Sequence, residues 1–210
     1  VAVTVQSEVV LQFGGYATGY ESQSGPVPPV IASVQALALD VRDATWTEVT
    51  AMPTPRASLA VACVADVCLT MGGLDNSSKT TAVVEAFSLS SRKWLTLAPM
   101  RSARAHHQAI VVNGTHVLVV GGGPASAELL DLANNQWTLL PGPQRQRNFG
   151  FGLAAPAHEP YVIAFGGQWA DGSSEIFEWS TGNWTPGPRL PDPVYSFSYG
   201  WAPLCHQQAP

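Results

Sequence analysis

A pair of adjacent glycines recurs four times along the 210 residues, each time directly after a short apolar run. The first glycines of the pairs are Gly14, Gly72, Gly121 and Gly166, at intervals of 58, 49 and 45 residues. Self-similarity at such a period is typical of repeat folds, in which similar units stack on one another and share a core. The chain is therefore expected to consist of four related units.

Other features recur in a fixed order around each glycine pair. A tryptophan follows every pair, at positions Trp46, Trp94, Trp137 and Trp184. In the last three units a glutamate lies nine residues before that tryptophan, at Glu85, Glu128 and Glu175, whereas the first unit has Gln35 eleven residues before it. An arginine opens the segment ahead of three of the pairs, at Arg56, Arg104 and Arg147. Each unit is predicted to contain four strands: a after the arginine, b ending in Gly-Gly, c with the acid and d opening on tryptophan.

Composition agrees with an all-β chain of short strands, because 19 glycines and 17 prolines provide many turns and only 12% of the residues are charged. A net charge of -5 without a Lys/Arg-rich stretch argues against nucleic-acid binding. No apolar run approaches the roughly 20 residues that span a bilayer. We therefore expect no nucleic-acid partner and no membrane-spanning segment within this chain.

The arrangement resembles the kelch family, whose repeats combine a glycine doublet, a downstream tryptophan and an arginine followed by small residues. The segment from Pro99-Met100-Arg101-Ser102-Ala103-Arg104-Ala105-His106-His107 to Val119-Val120-Gly121-Gly122 matches best. The resemblance implies a β-propeller, with blades at residues 1–50, 51–98, 99–141 and 142–190 and the start of a further blade at 191–210. Kelch propellers more often have six or seven blades, so we expect a part of a larger propeller. The usual strand c tyrosine is replaced by Leu37, Phe87, Leu130 and Phe177.

Two cysteines flank a short segment in the second unit. If Ala65-Asp66 is a two-residue hairpin turn, Cys63 and Cys68 lie directly opposite each other, with Cα atoms roughly 4.5 Å apart in a non-hydrogen-bonded pair. That spacing is at the short end of what a disulfide accepts. A disulfide and a pair of small buried thiols both remain open, and Cys205 is left without an assigned partner.

Three of the six asparagines lie in glycosylation sequons, at Asn76, Asn113 and Asn183. Each falls where the repeat pattern predicts a loop or turn. Asn113-Gly114 also suits a hairpin turn that needs positive φ, and such a turn would pair His116 with Val111. Together with the cysteine pair, the sequons favour a secreted or cell-surface glycoprotein.

Strand order also assigns the loops to two faces, because alternate strands of a unit run in opposite directions. The b–c and d–a loops share one face, and the a–b and c–d turns share the other, with Asn113 and Asn183. Six of the eight arginines lie in or beside the d–a loops. Arg56, Arg104 and Arg147 recur at one repeat position and are expected to pair with the repeated glutamates, which leaves Arg101, Arg145 and Arg189 as binding candidates.

The longest insertion, residues 16–33, lies on that same face with Tyr16 and Tyr20, and Trp169 follows the last glycine pair. Long loops on a rigid scaffold are where binding residues usually lie. We therefore expect a non-enzymatic scaffold that binds a protein partner or a glycan through Tyr16, Tyr20, Arg101, Arg145, Trp169 and Arg189, and that carries no cofactor.

Two alternatives come from the family resemblance. One is a cytosolic kelch adaptor that captures a partner protein, with reduced cysteines and unoccupied sequons. The other is a copper enzyme of the galactose oxidase type, for which His106, His107 and His116 would have to converge. Adjacent residues of a strand point to opposite faces, so this set does not form a ligand cluster, and a packed, hydrogen-bonded His107 is expected instead.

Overall fold

The computed structural model describes residues 2–6, 9–15, 36–40, 45–156, 159–168 and 172–191. Sixteen β-strands and no helix occur within these ranges. Consecutive strands pair antiparallel in groups of four, which gives four separate four-stranded sheets. The predicted all-β fold is confirmed, and we call the sheets blades 1 to 4 in chain order.

Each blade is a simple meander in which strands a, b, c and d follow one another. Blade 1 consists of β1 (Ala2–Gln6), β2 (Val9–Phe13), β3 (Ala36–Asp40) and β4 (Thr45–Glu48). Blade 2 consists of β5 (Ala60–Val64), β6 (Val67–Met71), β7 (Val84–Ser88) and β8 (Lys93–Thr96). Blade 3 consists of β9 (Gln108–Val112), β10 (His116–Val120), β11 (Ser126–Asp131) and β12 (Gln136–Pro141). Blade 4 consists of β13 (Phe151–Ala154), β14 (Tyr161–Gly166), β15 (Ser174–Glu178) and β16 (Asn183–Pro186).

The a strands form the inner side of the array. Consecutive a strands lie next to one another, β1 beside β5, β5 beside β9 and β9 beside β13. Each d strand lies at the opposite edge of its sheet. The sheets therefore fan out from a common inner side, which is the radial stacking that covers both faces of a blade and protects strand edges.

Apolar side chains fill the space between neighbouring blades. Phe13 of blade 1 packs edge-on against Phe87 and Trp94 of blade 2, with ring centroids 6.0 and 5.6 Å apart. Similar clusters join blade 2 to blade 3 around Met71 and blade 3 to blade 4 around Phe151. Burying one such side chain contributes about 1.5–3 kcal/mol, so these clusters stabilise the stack of blades.

The repeated tryptophans also bond neighbouring blades through hydrogen bonds. The indole N–H of Trp137 donates to the Ala98 carbonyl of the preceding blade over 2.8 Å. Trp94 and Trp184 do the same towards Thr50 and Pro141, over 2.7 and 2.9 Å. In blades 2 to 4 the tryptophan of strand d is thus an apolar wedge between sheets whose one polar group is satisfied by the neighbouring backbone, whereas Trp46 of blade 1 is 49% exposed.

The first glycine of a doublet is required by the close approach of the next blade. Gly72 has a φ of +56°, and a Cβ built on it would lie 2.6 Å from the carbonyl oxygen of Arg104 in blade 3. Only a residue without a side chain fits such a position without strain. The glycine doublet is therefore a contact point between blades as well as the end of strand b.

One predicted register is wrong. His116 pairs with Val112, and Val111 pairs with Val117. The loop between β9 and β10 has three residues, because the Thr115 N–H donates back to the Val112 carbonyl after the positive-φ pair Asn113-Gly114. The extra loop residue shifts the strand pairing by one position relative to a two-residue turn.

Candidate functional site

A buried ion pair lies at the loop end of each of blades 2 to 4. The guanidinium nitrogen of Arg104 is 3.1 Å from the Glu128 carboxylate, and both side chains are fully buried. The corresponding distances are 2.7 Å for Arg56–Glu85 and 2.9 Å for Arg147–Glu175. The predicted arginine–glutamate pairing is confirmed in all three blades.

Each arginine makes further hydrogen bonds, which offset part of the cost of burying its charge. Arg104 donates to the Gly121 carbonyl at the end of its own strand b and to the Ser126 hydroxyl, over 3.0 and 2.9 Å. Arg56 donates in the same way to the Gly72 carbonyl and the Thr70 hydroxyl. The arginine thus ties strands b and c of one blade to the loop that precedes strand a.

The main chain of the same arginine reaches the preceding blade. The Arg104 carbonyl accepts a 2.7 Å hydrogen bond from the N–H of Gly73 in blade 2. Gly15 and Gly122 donate to the carbonyls of Arg56 and Arg147 over 3.2 and 3.0 Å. One residue per repeat therefore organises its own blade through the side chain and joins the previous blade through the backbone.

Burial lowers the pKa of Arg56 from its ordinary value, while the charge and hydrogen bond of Glu85 act in the opposite direction. The carboxylate therefore offsets part of the cost of removing the guanidinium from water. Neither charge of the pair is exposed at the surface. These ion pairs are a structural framework and leave the recognition of a partner to other side chains.

The buried glutamates also hold the loops in front of them. Glu128 accepts hydrogen bonds from the backbone N–H groups of Arg101 and Ser102, over 2.7 and 3.1 Å. Glu175 accepts from the N–H groups of Gln144 and Arg145, over 2.6 and 3.3 Å. The backbone at two predicted binding residues is therefore fixed by a carboxylate that an arginine already neutralises.

We define the loop face as the d–a and b–c loops together. Its described parts are residues 49–59, 97–107, 142–150 and 187–191 from the d–a loops, and 14–15, 72–83, 121–125, 167–168 and 172–173 from the b–c loops. Backbone hydrogen bonds join the two kinds of loop, as between Leu190 N–H and the Gly172 carbonyl at 2.8 Å.

The predicted binding arginines are all exposed on the loop face. Arg101 points its Nε at the Trp137 carbonyl over 3.0 Å, which orients the guanidinium. Arg145 and Arg189 are also exposed, in the d–a loops that precede and follow blade 4. Tyr16, Tyr20 and Trp169 lie outside the described residues.

Two aromatic residues in the d–a loops of Arg101 and Arg145 escaped the sequence prediction. The rings of His106 and Phe149 stack with centroids 3.9 Å apart and planes inclined by 36°. Phe149 remains 42% exposed. His106 has a φ of +58°, and its N–H donates to the Ser58 carbonyl of blade 2 over 3.0 Å. Both residues directly precede a strands, so they lie at the inner rim of the loop face.

His107 differs from its prediction. It is buried as expected, yet neither ring nitrogen has a hydrogen-bond partner within the described part of the chain. Burial, aided by the charge of Arg104, lowers its pKa to about 3, and the nearby Met71 backbone opposes this without forming a well-directed hydrogen bond. The imidazole is neutral and packs against Gly72 where Leu59 packs against Gly14.

The two cysteines of blade 2 are joined by a disulfide. Cys63 lies opposite Cys68 in the register of β5 and β6, with Cα atoms 4.0 Å apart. Ala65 and Asp66 form the turn, as the sequence predicts. The bond crosslinks the inner strand of blade 2 to strand b, and Cys205 lies outside the described residues.

All three sequon asparagines are exposed. Asn76 lies in the b–c loop of blade 2, on the loop face, and Asn113 lies in the a–b turn of blade 3. Asn183 is the first residue of β16, one residue later than a pure turn position. The Asn113 and Asn183 side chains lie on the face opposite the loop face.

Among the described residues, no three His, Cys, Asp or Glu side chains converge in a group that could hold a metal ion. The His116 ring instead lies beside the Thr115 hydroxyl at 2.9 Å, away from the other histidines. Within the same ranges, no helix combines the length and apolar character that crossing a membrane requires.

Comparison with known proteins agrees with this geometry. The family model of the kelch motif matches residues 55–101, which contain all of blade 2. Alpha-scruin of Limulus polyphemus is 30% identical over 131 residues, which are 55% of this chain and 14% of that protein. Human kelch repeat and BTB domain-containing protein 13 is 32% identical over 136 residues, which are 60% of this chain and 27% of that protein.

Human kelch-like protein 34 is also similar, with 30% identity over 119 residues that cover 49% of this chain and 18% of that protein. The chain thus matches less than a third of each of these three relatives. The sequence similarity agrees with the repeated strand order, glycine doublets and tryptophans of the blades. The chain carries a kelch motif at residues 55–101 and is similar to kelch-repeat proteins, and its four-stranded antiparallel sheets have the form of kelch β-propeller blades.

Proposed function

We propose that this chain is a non-enzymatic scaffold that binds a protein partner through the loop face. The observation that carries the proposal is the charge of that face. The described d–a loops contain no aspartate or glutamate, Asp75 of the described b–c loops is offset by Lys79 of the same loop, and the glutamates beneath the d–a loops are buried and paired. Arg101, Arg145 and Arg189 are exposed on this face of a protein whose net charge is -5.

A locally positive face on an acidic protein favours a partner with an acidic patch, because complementary potentials orient the encounter and select the partner. The exposed ring of Phe149 adds an apolar contact, and aromatic residues and arginines are the residue types that dominate binding energy in protein interfaces. A glycan with acidic groups would meet the same charges. The rigid anchoring of the loop backbone lowers the entropy cost of binding either partner.

The test is a comparison of two double charge reversals. Arg101→Glu/Arg145→Glu changes the loop face, and Arg92→Glu/Lys93→Glu makes the same change in charge at the exposed c–d turn of blade 2, on the opposite face. Proteins captured by the wild-type chain are quantified by mass spectrometry, and a glycan array provides the second probe.

We expect the true partners to be captured equally by the wild type and by Arg92→Glu/Lys93→Glu. Their captured amount should fall at least about tenfold with Arg101→Glu/Arg145→Glu, because charged interface groups contribute a few kcal/mol to binding. Equal capture by all three chains would contradict the proposal. If the chain binds glycans on the array but captures no protein specifically, the partner is a glycan and the proposed protein partner is wrong.

We further propose that the chain is extracellular or displayed at a cell surface. Support comes from the Cys63–Cys68 disulfide and from three exposed sequon asparagines, since disulfides persist in oxidising compartments. A cytosolic adaptor is the alternative. One of the relatives is named as a kelch repeat and BTB domain-containing protein and another as a kelch-like protein. Intact mass of the protein from its native source separates the two: loss of mass with glycosidase supports export, and a reduced, unglycosylated chain contradicts it.

A further inference from the structure

An exposed leucine and an exposed arginine lie beside the same buried glutamate in blade 3. Leu139 of β12 is 55% exposed, and Arg101 is exposed in the d–a loop before the blade. In the pairing of β11 with β12, Leu139 lies opposite Glu128. The Glu128 carboxylate accepts the N–H of Arg101 over 2.7 Å. The leucine is therefore on the side of the sheet along which the Arg101 loop runs.

Alternation along β12 confirms the side that Leu139 faces. Trp137 packs in the cluster between blades 2 and 3, whereas Leu140 packs against the cluster between blades 3 and 4. Successive residues of a strand point to opposite faces, so Leu139 faces the same side as Trp137. The Nε of Arg101 donates to the Trp137 carbonyl over 3.0 Å. The guanidinium is thus held two residues along the strand from the exposed leucine.

The guanidinium of Arg101 is oriented but not neutralised. Within the described part of the chain, its two terminal nitrogens have no hydrogen-bond partner. The carboxylate beneath the loop, Glu128, is buried and paired with Arg104. Two terminal N–H groups in one plane match the two oxygens of a carboxylate. Because Nε is already held, binding a carboxylate immobilises little more of the side chain.

This combination of side chains does not recur in blades 2 and 4. Arg101 lies three residues before the buried arginine of its blade, and Leu139 lies opposite the buried glutamate. The residues at these two places are Pro53 and Thr96 in blade 2, and Gln144 and Pro186 in blade 4. Neither pair contains a cation or a leucine. The blade architecture therefore does not require Arg101 and Leu139, which leaves both for recognition.

We propose that Arg101 and Leu139 bind an extended segment of a partner protein in which an aspartate or glutamate lies two residues from a large apolar side chain. The carboxylate accepts two hydrogen bonds from the terminal nitrogens of Arg101, and the apolar side chain packs on Leu139. Two residues of an extended chain span about 6.6 Å, the same spacing that separates Trp137 from Leu139 along β12. The inference rests on the proposed protein-binding function and specifies which side chains the partner presents.

Immobilised heptapeptide libraries with two fixed residues among random neighbours test the site. The fixed residues are Asp-x-Leu, Asn-x-Leu, phosphoserine-x-Leu or adjacent Asp-Leu, and every library contains both orders of the pair. We expect Asp-x-Leu peptides to retain the full chain at least about fivefold more than Asn-x-Leu peptides, because an amide lacks the charge that pairs with Arg101. Adjacent Asp-Leu peptides should retain less of it, since neighbouring residues of an extended chain point to opposite sides.

Variants of the protein show whether this retention depends on the two side chains. Arg101→Gln should lower retention by Asp-x-Leu peptides at least about fivefold, and Arg101→Lys should lower it less, because lysine keeps the charge but not the planar fork. Leu139→Thr, which introduces the residue type of Thr96, should lower retention at least about threefold. The control is Trp46→Thr at an exposed apolar side chain of strand d in blade 1, which should leave retention unchanged. Thermal unfolding checks that each variant is folded.

Several results would overturn the proposal. Equal retention by Asp-x-Leu and Asn-x-Leu peptides, or retention that survives Arg101→Gln or Leu139→Thr, would show that the site does not bind such a segment. Stronger retention by the phosphoserine library would assign the site to a phosphorylated partner, and equal retention by adjacent Asp-Leu peptides would exclude the extended spacing. Failure of the proposed function differs, because protein capture would then survive Arg101→Glu/Arg145→Glu. Failure of this site alone would leave protein capture sensitive to Arg145→Glu and insensitive to Leu139→Thr.

Discussion

The loop face has two layers of arginine, and they behave in opposite ways. The inner layer, Arg56, Arg104 and Arg147, is buried, recurs at one position of the repeat and is paired with glutamate. The outer layer, Arg101, Arg145 and Arg189, is exposed and follows no common repeat position. In the loops before blades 3 and 4, where both layers occur, they are separated by only two or three positions in the chain, Arg101 from Arg104 and Arg145 from Arg147.

The difference shows that arginines at a repeated position maintain the fold, whereas arginines at non-repeated positions are the candidates for binding a partner. A group that recurs in blades 2 to 4 with similar partners meets a demand that these blades share, which here is to fix the loop and join the preceding blade. A charge that is exposed and differs between blades meets no such demand. The inner layer therefore supports the outer one, and mutations in the two layers should have different consequences.

The largest effect is expected from breaking the inner layer. Glu128→Ala leaves the Arg104 charge buried without its partner and the N–H groups of Arg101 and Ser102 without their acceptor. Removal of one partner from a buried pair costs about 3–5 kcal/mol, so the free energy of unfolding should fall by this amount in urea titrations. The control is Glu159→Ala at an exposed carboxylate, and a Glu128→Ala variant as stable as that control would show that the pair is dispensable.

The next effect compares two glycines that share positive φ but differ in their surroundings. Gly72 lies against the Arg104 carbonyl of the next blade, whereas Gly114 has nothing within 4 Å of the position of a Cβ. Gly72→Ala should destabilise the protein by about 1–3 kcal/mol more than Gly114→Ala, because the added methyl group overpacks the contact between blades. Thermal unfolding of the two variants measures the difference, and equal costs would mean that only backbone conformation matters.

The free energy of unfolding is expected to depend on pH because of His107, a titratable side chain at a repeat position that is occupied by the apolar Leu59 in blade 2. His107 has a pKa of about 3 in the folded protein and the ordinary value of 6.5 when unfolded. Between these values the unfolded chain binds more protons, so stability falls as the pH decreases from about 6.5 to 3. At pH 4.5 this loss is about 2–3 kcal/mol.

His107→Leu introduces the residue that blade 2 has at the equivalent position, Leu59, and removes the titrating group. The variant should match or exceed the wild-type stability at pH 7 and should lose about 2–3 kcal/mol less on acidification to pH 4.5. Unfolding free energies at both pH values provide the measurement. If acid lowers the stability of the two proteins equally, His107 is not the group that makes the contact between blades 2 and 3 acid-sensitive.

The smallest effect on stability is expected in the outer layer. Arg101→Glu/Arg145→Glu removes exposed charges and the Arg101 contact with the Trp137 carbonyl, but leaves both buried glutamates paired. Exposed substitutions of this kind usually change stability by no more than about 0.5 kcal/mol each. A melting temperature that falls as far as that of Glu128→Ala would show that the two layers are not separable.

Much of the framework could be predicted from sequence because it recurs. The arginine–glutamate pairs follow from one residue type at one repeat position facing another, and the Cys63–Cys68 register follows from a two-residue turn between alternating strands. The exceptions depend on features that do not recur. The extra loop residue Thr115 shifts one strand pairing, and nothing in the sequence distinguishes a two-residue from a three-residue turn after Asn113.

The candidate site was predicted only in part for the same reason. Arg101, Arg145 and Arg189 remain predicted binding residues, chosen because they are the arginines of the d–a loops that do not recur at the repeat position, and the structure shows that all three are exposed. The stack of His106 on Phe149 joins residues that each lie two positions after their repeat's arginine, but blade 2 has Ser58 at that position, so periodicity carries no signal for an aromatic pair there. The missing hydrogen bonds of His107 depend on the positions of neighbouring backbone groups, which side-chain identity does not reveal.

The central claim is that Glu128 and Glu175 each hold a loop that presents an exposed arginine, and hydrogen exchange in a Glu128→Gln variant tests it most directly. The amide cannot carry the carboxylate charge that accepts from the N–H groups of Arg101 and Ser102, while Glu175 still holds residues 144 and 145. Exchange should rise at residues 101–102, remain unchanged at 144–145 and remain slow in β10 and β11. The claim would be contradicted if Glu128→Gln left exchange unchanged at residues 101–102, or raised it equally at residues 101–102 and 144–145.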